Sequence, residues 1–305
     1  MKYLVLLVLP FCAQAEVADY FKPASGKSDI CNMKNIDFIY IINLDQRPEK
    51  FENCIRQLHP YGIYPYRFSA VNGWELSLDA INDVGVQFSS EMRGGFWATS
   101  FLPNENFTPS HEIIQTVGRT YFCHCMARGT IGIVLSHLSV LQDAFDSGYE
   151  TIWVMEDDVE VIQDPRQVSD MIVVLDCLVG KNGWDILFTD RDIRDANGNY
   201  VPSGGFATRP NYHPKKNRAA FCERYKVGKL FTRIGARFGA HSMIVRRSGM
   251  QKILGYIKKY KIFLPYDMEY YLPEFMRLYS LNVDIVSNQP KAISDNGGAN
   301  YLNKE

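Results

Sequence analysis

Short apolar runs alternate with segments of helical period along most of the chain. The apolar runs have the length and the β-branched or aromatic content of buried strands, and they cover residues 37–43, 64–71, 152–155, 184–190, 239–245 and 283–286. Apolar residues spaced three and four positions apart predict helices over residues 47–58, 129–147, 164–178, 247–260 and 265–277. This order predicts an α/β fold: a mostly parallel, twisted sheet flanked by helices, opening with a β-α-β unit.

Some of the predicted helices carry signals for their ends and buried faces. Asp45 is the expected N-cap of the first helix, with Pro48 in its first turn. Gly148 is the expected C-cap of the helix that begins at Gly129. The helix over residues 164–178 is expected to direct four apolar side chains inward, namely Met171, Val174, Leu175 and Leu178.

Two long stretches interrupt the alternation. Residues 74–128 are rich in Gly, Asn, Ser and Phe without a sustained period, and residues 191–237 are basic, aromatic and Gly-rich, with room for a hairpin. We interpret both as insertions into one domain over residues 37–305, the first covering one end of the sheet. Residues 16–36 are polar and contain Gly, Ser and Pro, which is typical of a leader with little structure.

The strand over residues 152–155 ends in three consecutive acids, Glu156, Asp157 and Asp158. Open α/β sheets bind ligands outside the carboxyl ends of their strands. Because strand side chains alternate, Glu156 and Asp158 are expected on one side and Asp157 on the other. Neighbouring carboxylates repel unless a cation lies between them, so the motif predicts a divalent metal site. The alternative is a solvated acidic turn.

Length and charge narrow the possible partners. The chain has 305 residues, 46% of them hydrophobic, and a net charge of −1. This length suits one large α/β domain or two small ones. The near-neutral charge gives no electrostatic reason to expect a nucleic acid partner.

The first fifteen residues have the features of a secretory signal. Lys2 precedes an apolar run over residues 3–11, and Ala13-Gln14-Ala15 is a small-residue cleavage site. The run is too short for a permanent transmembrane helix. The sequence therefore predicts cleavage after Ala15 and export to a periplasm, a secretory pathway or the extracellular space, with an uncleaved N-terminal anchor as the alternative.

Removal of Cys12 with the signal leaves six cysteines. An even number permits disulfides in an exported protein, but their pairing stays open. Cys123-His124-Cys125 has no second ligand pair at zinc-site spacing. Half-buried thiols or one disulfide are expected there rather than zinc.

Several motifs occur in a fixed order along the chain: INLDQRPEK, GTIGIVLSH, MEDDV, WDILF, GAHSMIVRRSGMQKIL, LPYDMEY and QPKAISD. In this order, from Asp37 to about Asp295, they resemble glycosyltransferase family 25. That family includes bacterial lipooligosaccharide galactosyltransferases and animal collagen hydroxylysine galactosyltransferases. The resemblance implies a GT-A type nucleotide-diphospho-sugar transferase fold.

The resemblance also implies a donor site. In the family a divalent metal, usually Mn²⁺, bridges the diphosphate of a UDP-sugar and stabilises the charge that grows there. Glu156 and Asp158 match the metal-binding acids, Asp157 is placed to reach the ribose or the metal, and Asp295 is the candidate third ligand. The expected nucleotide-binding residues are Asn43, Leu44, Arg47 and Gly129. Ser136 and His137 either contact the ligand or join the helix to the sheet.

The family is classed as inverting, which requires one general base for the acceptor hydroxyl. Asp267, in LPYD, is the first candidate and Asp190, at the end of WDILFTD, is the second. His241 receives no role. Each of these acids has a surface or capping role as its alternative.

The leading functional hypothesis is metal-dependent transfer of a hexose such as galactose from a UDP-sugar to a saccharide or a hydroxylated side chain. One alternative is an exported carbohydrate- or nucleotide-binding module without turnover. A metal-dependent phosphoesterase is less favoured because the chain lacks the additional His and Asp ligands of a two-metal site. The predicted export signal departs from the family's bacterial members, which work in the cytoplasm. The chain also ends without the KDEL-type signal that retains proteins in the endoplasmic reticulum.

Overall fold

The computed structural model describes residues 15–28, 33–103, 108–191, 201, 206–289 and 295. The strands are β1 (Phe38–Asn43), β2 (Tyr66–Ser69), β3 (Val86–Gln87), β4 (Trp97–Phe101), β5 (Pro109–Ile113), β6 (Thr120–Cys123), β7 (Thr151–Glu156), β8 (Val159–Val161), β9 (Ile186–Phe188), β10 (Arg224–Val227), β11 (Phe231–Ile234), β12 (Ser242–Arg246), β13 (Leu278–Leu281) and β14 (Val286–Asn288). The helices are α1 (Pro48–Leu58), α2 (Leu78–Val84), α3 (Arg128–Asp146), α4 (Gln167–Val179), α5 (Arg218–Cys222), α6 (Arg247–Tyr260) and α7 (Tyr266–Glu269).

An eight-stranded sheet in the order β10-β11-β13-β9-β12-β7-β1-β2 forms the centre of the fold. The pairs β1–β2, β1–β7 and β9–β13 are parallel, whereas β12 and β11 run antiparallel to both of their neighbours. The sheet is therefore mixed, and the expectation of a mostly parallel sheet was too simple. The chain reaches β12 from β9 only after the excursion over residues 191–237, and a connection of this length allows either strand direction, so the sequence did not determine it.

Helices cover both faces of this sheet, as the continuous apolar strands predict. Alternate side chains of β1 enter different cores: Phe38 and Tyr40 pack on the α3 and α6 face, whereas Ile39 and Ile41 pack on the α1 and α4 face. The loop after β1 leads to α1 and the loop after β2 leads towards α3, so the two loops leave on opposite faces. Such a point is where an open sheet forms a crevice at the carboxyl ends of its strands.

Several predicted helix signals are confirmed and others are wrong. Pro48 is the first residue of α1, but Arg47 occupies the N-cap position, because Asp45 instead accepts hydrogen bonds from Arg67 and Ser69. α3 ends as predicted, with Gly148 just beyond its C-cap at a φ of +76°.

The buried face of α4 differs from the prediction. Val168, Ile172 and Leu175 are buried, whereas Val174 and Leu178 are 37% and 50% exposed. The run Met-Ile-Val-Val-Leu offers apolar residues on two faces of a helix, so spacing alone does not choose between them.

The helix predicted over residues 265–277 is only the short α7. Pro273 follows closely and cannot continue a helix, because it lacks the backbone N–H and disfavours helical geometry in the preceding residue. The chain then enters β13, which the sequence pattern did not indicate. The last predicted strand is displaced to β14, which pairs with β8.

The first insertion is more regular than its sequence suggested. It contains α2 and a four-stranded sheet in the order β3-β6-β4-β5. β4 and β6 are buried along nearly their whole length, so their side chains show no alternation of apolar and polar residues. The second insertion contains the expected hairpin, β10 and β11, which extends the main sheet.

The leader also has structure. A 3-10 helix, Val17–Tyr20, buries Val17, and the Tyr20 hydroxyl donates a hydrogen bond to Asp83. The predicted signal peptide lies outside the described residues, apart from Ala15. No helix in the described ranges is both long enough and apolar enough to cross a membrane.

Candidate active site

A cleft of about 670 Å³, including space open to solvent, lies at the carboxyl ends of β1, β2 and β7. Leu44 after β1 and the segment 70–74 after β2 form one part of its wall. Gly129, Ile133, Ser136 and His137, on the first half of α3, form another. The three acids at the end of β7, Glu156, Asp157 and Asp158, and Asp295 complete it. The cleft has the position of a ligand site in an open α/β sheet.

The strand geometry separates Glu156 from Asp157, as alternation predicts. Glu156 accepts a hydrogen bond from Nε2 of His137 on α3 at 2.9 Å. Burial opposes ionisation of Glu156, but this hydrogen bond together with the charges of His137, His241 and Lys50 outweighs it and lowers the pKa of the carboxyl. Asp157 faces the α1 side, where its Oδ2 accepts a hydrogen bond from Asn43 Nδ2 at 2.7 Å.

Asp158 follows in the turn after β7 and is the least satisfied of the three acids. Its Oδ1 is buried without a hydrogen-bond partner among the described residues. Burial, together with the charges of Glu156 and Asp157, raises the pKa of Asp158 to about 6. Burial also raises the pKa of Asp157 to about 6. The positive charges near these two acids do not offset the cost of burying them.

Lys50, in the cleft wall, and Arg47, behind it, bring positive charge next to Asp157 and Asp295. Arg47 pairs with Asp295, and Lys50 Nζ lies 3.1 Å from Asp295 and 3.8 Å from Asp157. The two cations are three residues apart at the start of α1 and share one of its faces. The sequence analysis named Arg47 but not Lys50. The three-residue spacing of the two cations at the start of α1 is the signal that could have identified Lys50.

Asn43 lies beneath the cleft rather than in its wall. Its amide Nδ2 donates to the Arg47 carbonyl at 2.8 Å and to Asp157, and its Oδ1 accepts from Arg67 Nε at 2.7 Å. Asn43 is only 1% exposed, so it orients Asp157 and the start of α1. Leu44 and Gly129 do line the cleft.

The turn after β2 packs directly on the first turn of α3. A Cβ on Gly132 would lie 2.5 Å from the Gly73 nitrogen, and a Cβ on Gly73 would lie 1.8 Å from the Arg128 carbonyl oxygen. Ser136 Oγ accepts a hydrogen bond from the Val71 backbone N–H at 2.8 Å. Ser136 therefore holds the turn against α3. This agrees with the second of its two predicted roles, joining the helix to the sheet, rather than with contact to a ligand. Trp74, which sequence reasoning did not single out, also lines the cleft.

The acids fit a divalent cation that is shared with a ligand. Within the described part of the chain, no group of three or more His, Cys, Asp or Glu side chains holds a metal by itself. Mg²⁺-like cations are usually bound by one or two carboxylates together with substrate phosphates. The unpartnered Asp158 oxygen, with Glu156 nearby, suits such a site. Asp295 is paired with Arg47 and Lys50, so its predicted role as a third ligand stays a prediction.

Asp267, the first candidate base, lies near the acidic motif at the start of α7. Its Oδ2 accepts a hydrogen bond from the Gly239 backbone N–H at 3.0 Å. Burial is the main cause of the raised pKa of Asp267, and the negative charge of Glu156 adds to it. A carboxylate with a raised pKa suits proton abstraction near neutral pH. The neighbouring Tyr266 ring stacks on His137 with centroids 4.1 Å apart.

Asp190, the second candidate, is enclosed in a buried network. It pairs with Arg237 Nη1 at 2.9 Å and accepts hydrogen bonds from His241 Nε2 and Ser287 Oγ, both at 2.8 Å. These partners outweigh burial and lower its pKa strongly. Asp190 is 2% exposed, and its position favours a structural role. His241 links this network to the site, because its carbonyl accepts the Glu156 N–H at 2.9 Å.

Comparison with known proteins places this site in a family. Residues 36–270 match the family model for glycosyltransferase family 25, described as LPS biosynthesis protein. A glycosyltransferase 25 family member from Aedes aegypti is 28% identical over 156 residues, which cover 51% of this chain and 21% of the relative. A family member from Drosophila melanogaster is 27% identical over 186 residues, covering 61% of this chain and 26% of the relative.

A human relative has a different name, inactive glycosyltransferase 25 family member 3. It is 26% identical over 155 residues, covering 51% of this chain and 22% of the relative. The matched segments thus span about a quarter of the length of these relatives. The family suggests glycosyltransferase activity, and the matched residues include all of the cleft wall except Asp295. The chain belongs to glycosyltransferase family 25.

Proposed function

We propose that this protein is a metal-dependent, inverting glycosyltransferase of GT-A type that transfers a hexose, galactose in the first instance, from a UDP-sugar. The proposed acceptor is a saccharide of the lipooligosaccharide kind or a hydroxylated protein side chain. The observation that carries the proposal is the unpartnered carboxylate oxygen of Asp158, which belongs to an acidic cluster lining the cleft.

The surroundings of the cluster support a diphosphate ligand. Glu156 and Asp158 would hold the cation, which would supply the positive charge that the leaving diphosphate needs. Gly129 places the start of the 19-residue helix α3 at the cleft, and helix N-termini favour anions. Lys50, and Arg47 behind it, add positive charge beside the same space.

Residues of the chain orient the acids and remove the acceptor proton. His137 donates to Glu156 and fixes its orientation, while Asn43 fixes Asp157. Asp267 would remove the proton of the acceptor hydroxyl, and its raised pKa suits that task. We further propose that the protein acts after export, as its predicted signal indicates.

The first test is thermal unfolding of the protein with UDP, with Mn²⁺ and with both. A ligand that binds only the folded state stabilises it by about 2.7 kcal/mol at one hundred times its dissociation constant. We expect the largest shift with both ligands present and its loss in Asp158→Asn. Asp170→Asn, which removes an equal charge from an exposed position on α4, is the matched control and should keep the shift. A full shift in Asp158→Asn would refute the metal assignment.

A binding module without turnover is the second candidate, because two relatives, from human and mouse, are named inactive. It predicts the same joint shift with UDP and Mn²⁺. The two functions separate when UDP release from UDP-galactose is measured with saccharide and hydroxylysine-peptide acceptors. Acceptor-dependent UDP release supports the transferase, and its absence across donor sugars supports the module.

A further inference from the structure

Cys123 and Cys125 lie together in the turn that joins β6 to α3. The Met126 N–H donates to the Cys123 carbonyl at 3.0 Å and closes the turn. The two sulfur atoms are 2.8 Å apart. Since a disulfide bond is about 2.05 Å long, the sulfur atoms need to approach by less than about 1 Å to bond.

The two thiols differ in ways that suit stepwise oxidation. Cys125 is exposed, whereas Cys123 is 5% exposed. The hydrogen bond from Cys123 lowers the pKa of Cys125 to about 7, although burial and the Asp267 carboxylate oppose this effect. The same hydrogen bond and burial raise the pKa of Cys123. Cys125 is therefore the accessible nucleophile and Cys123 the second thiol beside it.

We propose that Cys123 and Cys125 form a reversible disulfide within this turn, a redox modification site that reacts with small disulfides. This inference does not depend on the proposed function. A partly exposed disulfide of this kind is more readily reduced than a buried structural one. Cys54, in contrast, is buried and donates a hydrogen bond to the Asp157 carbonyl.

With oxidised glutathione the reaction has two exchange steps. The Cys125 thiolate attacks one sulfur of glutathione disulfide, so that a mixed disulfide forms and one glutathione thiolate leaves. Cys123 then loses its proton and attacks the Cys125 sulfur, which releases the second glutathione. In total, the two protein thiols lose two electrons and two protons, and one glutathione disulfide is reduced to two glutathione thiols.

The experiment uses the reduced full-length protein, freed of reductant and incubated with oxidised glutathione. Free thiols are trapped by alkylation, and the peptide over residues 123–125 is analysed by mass spectrometry. We expect an intramolecular disulfide, visible as the loss of two hydrogens, that dithiothreitol reverses. At pH 7 the initial reaction of Cys125 should be about threefold faster than that of an unperturbed peptide thiol, because its larger thiolate fraction outweighs its lower nucleophilicity.

Single variants separate the two roles. In Cys123→Ser the reaction should stop at glutathione attached to Cys125, and in Cys125→Ser the buried Cys123 should react at least tenfold more slowly than Cys125 does. Cys177→Ser removes an exposed cysteine on α4 and should leave the disulfide unchanged. Recovery of both thiols free, or of both carrying glutathione, under conditions that oxidise a dithiol would overturn the proposal.

Discussion

Asp158 combines a poor environment for a charge with a position that suits a ligand. Its Oδ1 is buried without a partner among the described residues, and two further carboxyls lie next to it in the chain. Burying an unsatisfied polar atom is unfavourable for folding. Functional sites often retain such unfavourable groups because a ligand completes them.

This reasoning predicts that Asp158→Asn stabilises the metal-free protein at neutral pH. Since folding raises the pKa of this acid to about 6, the folded state binds the proton more tightly than the unfolded state does. Its contribution to stability therefore falls as the pH rises from about 4 to about 6, and the full penalty, on the order of 2–3 kcal/mol, is present above that range. Asn carries no such charge.

The measurement is thermal unfolding with a chelator at pH 4 and pH 7.5. The variant should melt several degrees higher than the wild type at pH 7.5 and nearly equally at pH 4. With Mn²⁺ and UDP the order at pH 7.5 should reverse. A variant that melts below the wild type in chelator at pH 7.5 would contradict the burial argument.

Asp267→Asn tests the candidate base. The substitution should leave the joint shift with UDP and Mn²⁺ intact and should reduce sugar transfer by about 10²-fold or more, because general bases contribute about 10²–10⁴-fold. Initial rates at saturating donor provide the measurement. If transfer stays at the wild-type rate, another group removes the proton.

At the scale of elements, the cleft depends on how closely the turn after β2 approaches α3. The absence of side chains at Gly73 and Gly132 allows this contact, and Ser136 secures it with a hydrogen bond to the Val71 N–H. The contact places Trp74 and Gly129 on the same cleft. The motif GTIGIVLSH therefore packs α3 against the turn after β2, in addition to any direct contact with a ligand.

Gly132→Ala should disturb this junction. The new Cβ would lie 2.5 Å from the Gly73 nitrogen and 2.6 Å from the Val71 carbonyl oxygen. Overpacking of this kind destabilises by about 1–3 kcal/mol, and displacement of the turn should weaken UDP binding as well. Gly255→Ala in α6 is the control, because its Cβ meets no atom within 4 Å and the change should stabilise by about 0.5–1 kcal/mol. Chemical denaturation and UDP titration measure both effects. Equal stability changes in the two variants would show that the contact is not tight.

At the scale of the whole molecule, the network around Asp190 joins parts of the chain that are far apart in sequence. Asp190 follows β9, Arg237 ends the second insertion, His241 precedes β12 and Ser287 lies in β14. Arg237 is 1% exposed. The backbone of His241 in turn holds Glu156 in the cleft. A substitution that disrupts the network should therefore also displace Glu156, through the backbone of His241.

Asp190→Asn should destabilise the protein by about 3–5 kcal/mol, because it leaves the buried Arg237 charge uncompensated. Urea denaturation gives the magnitude. Asp284→Asn is the matched control: its partner Arg191 is 49% exposed, so about 1 kcal/mol or less is expected. A stable Asp190→Asn protein that has lost only sugar transfer would instead restore Asp190 as a catalytic candidate.

The sequence by itself determined the elements whose signals are local. Continuous apolar runs predicted strands β1, β7 and β12, and helical spacing predicted helices α1, α3 and α6. The abrupt end of an apolar run marked the acids at the end of β7. The position of Glu156, Asp157 and Asp158 at a cleft followed from the general placement of ligands at strand ends. The motif order also indicated the family, which the family model confirms.

Only the tertiary structure decided the features that depend on contacts between distant segments. The reversed direction of β12, the buried face of α4 and the sheet within the first insertion have no unambiguous local pattern. The pairing of Asp190 with Arg237 and of Asp295 with Arg47 and Lys50 joins residues across the chain. The free energy of ionising a carboxyl group depends on its burial and on the charges and hydrogen-bond donors around it. For this reason the sequence named Asp158 as a metal ligand and Asp190 as a candidate base without showing their surroundings, and the structure distinguished the unsatisfied Asp158 from the enclosed Asp190.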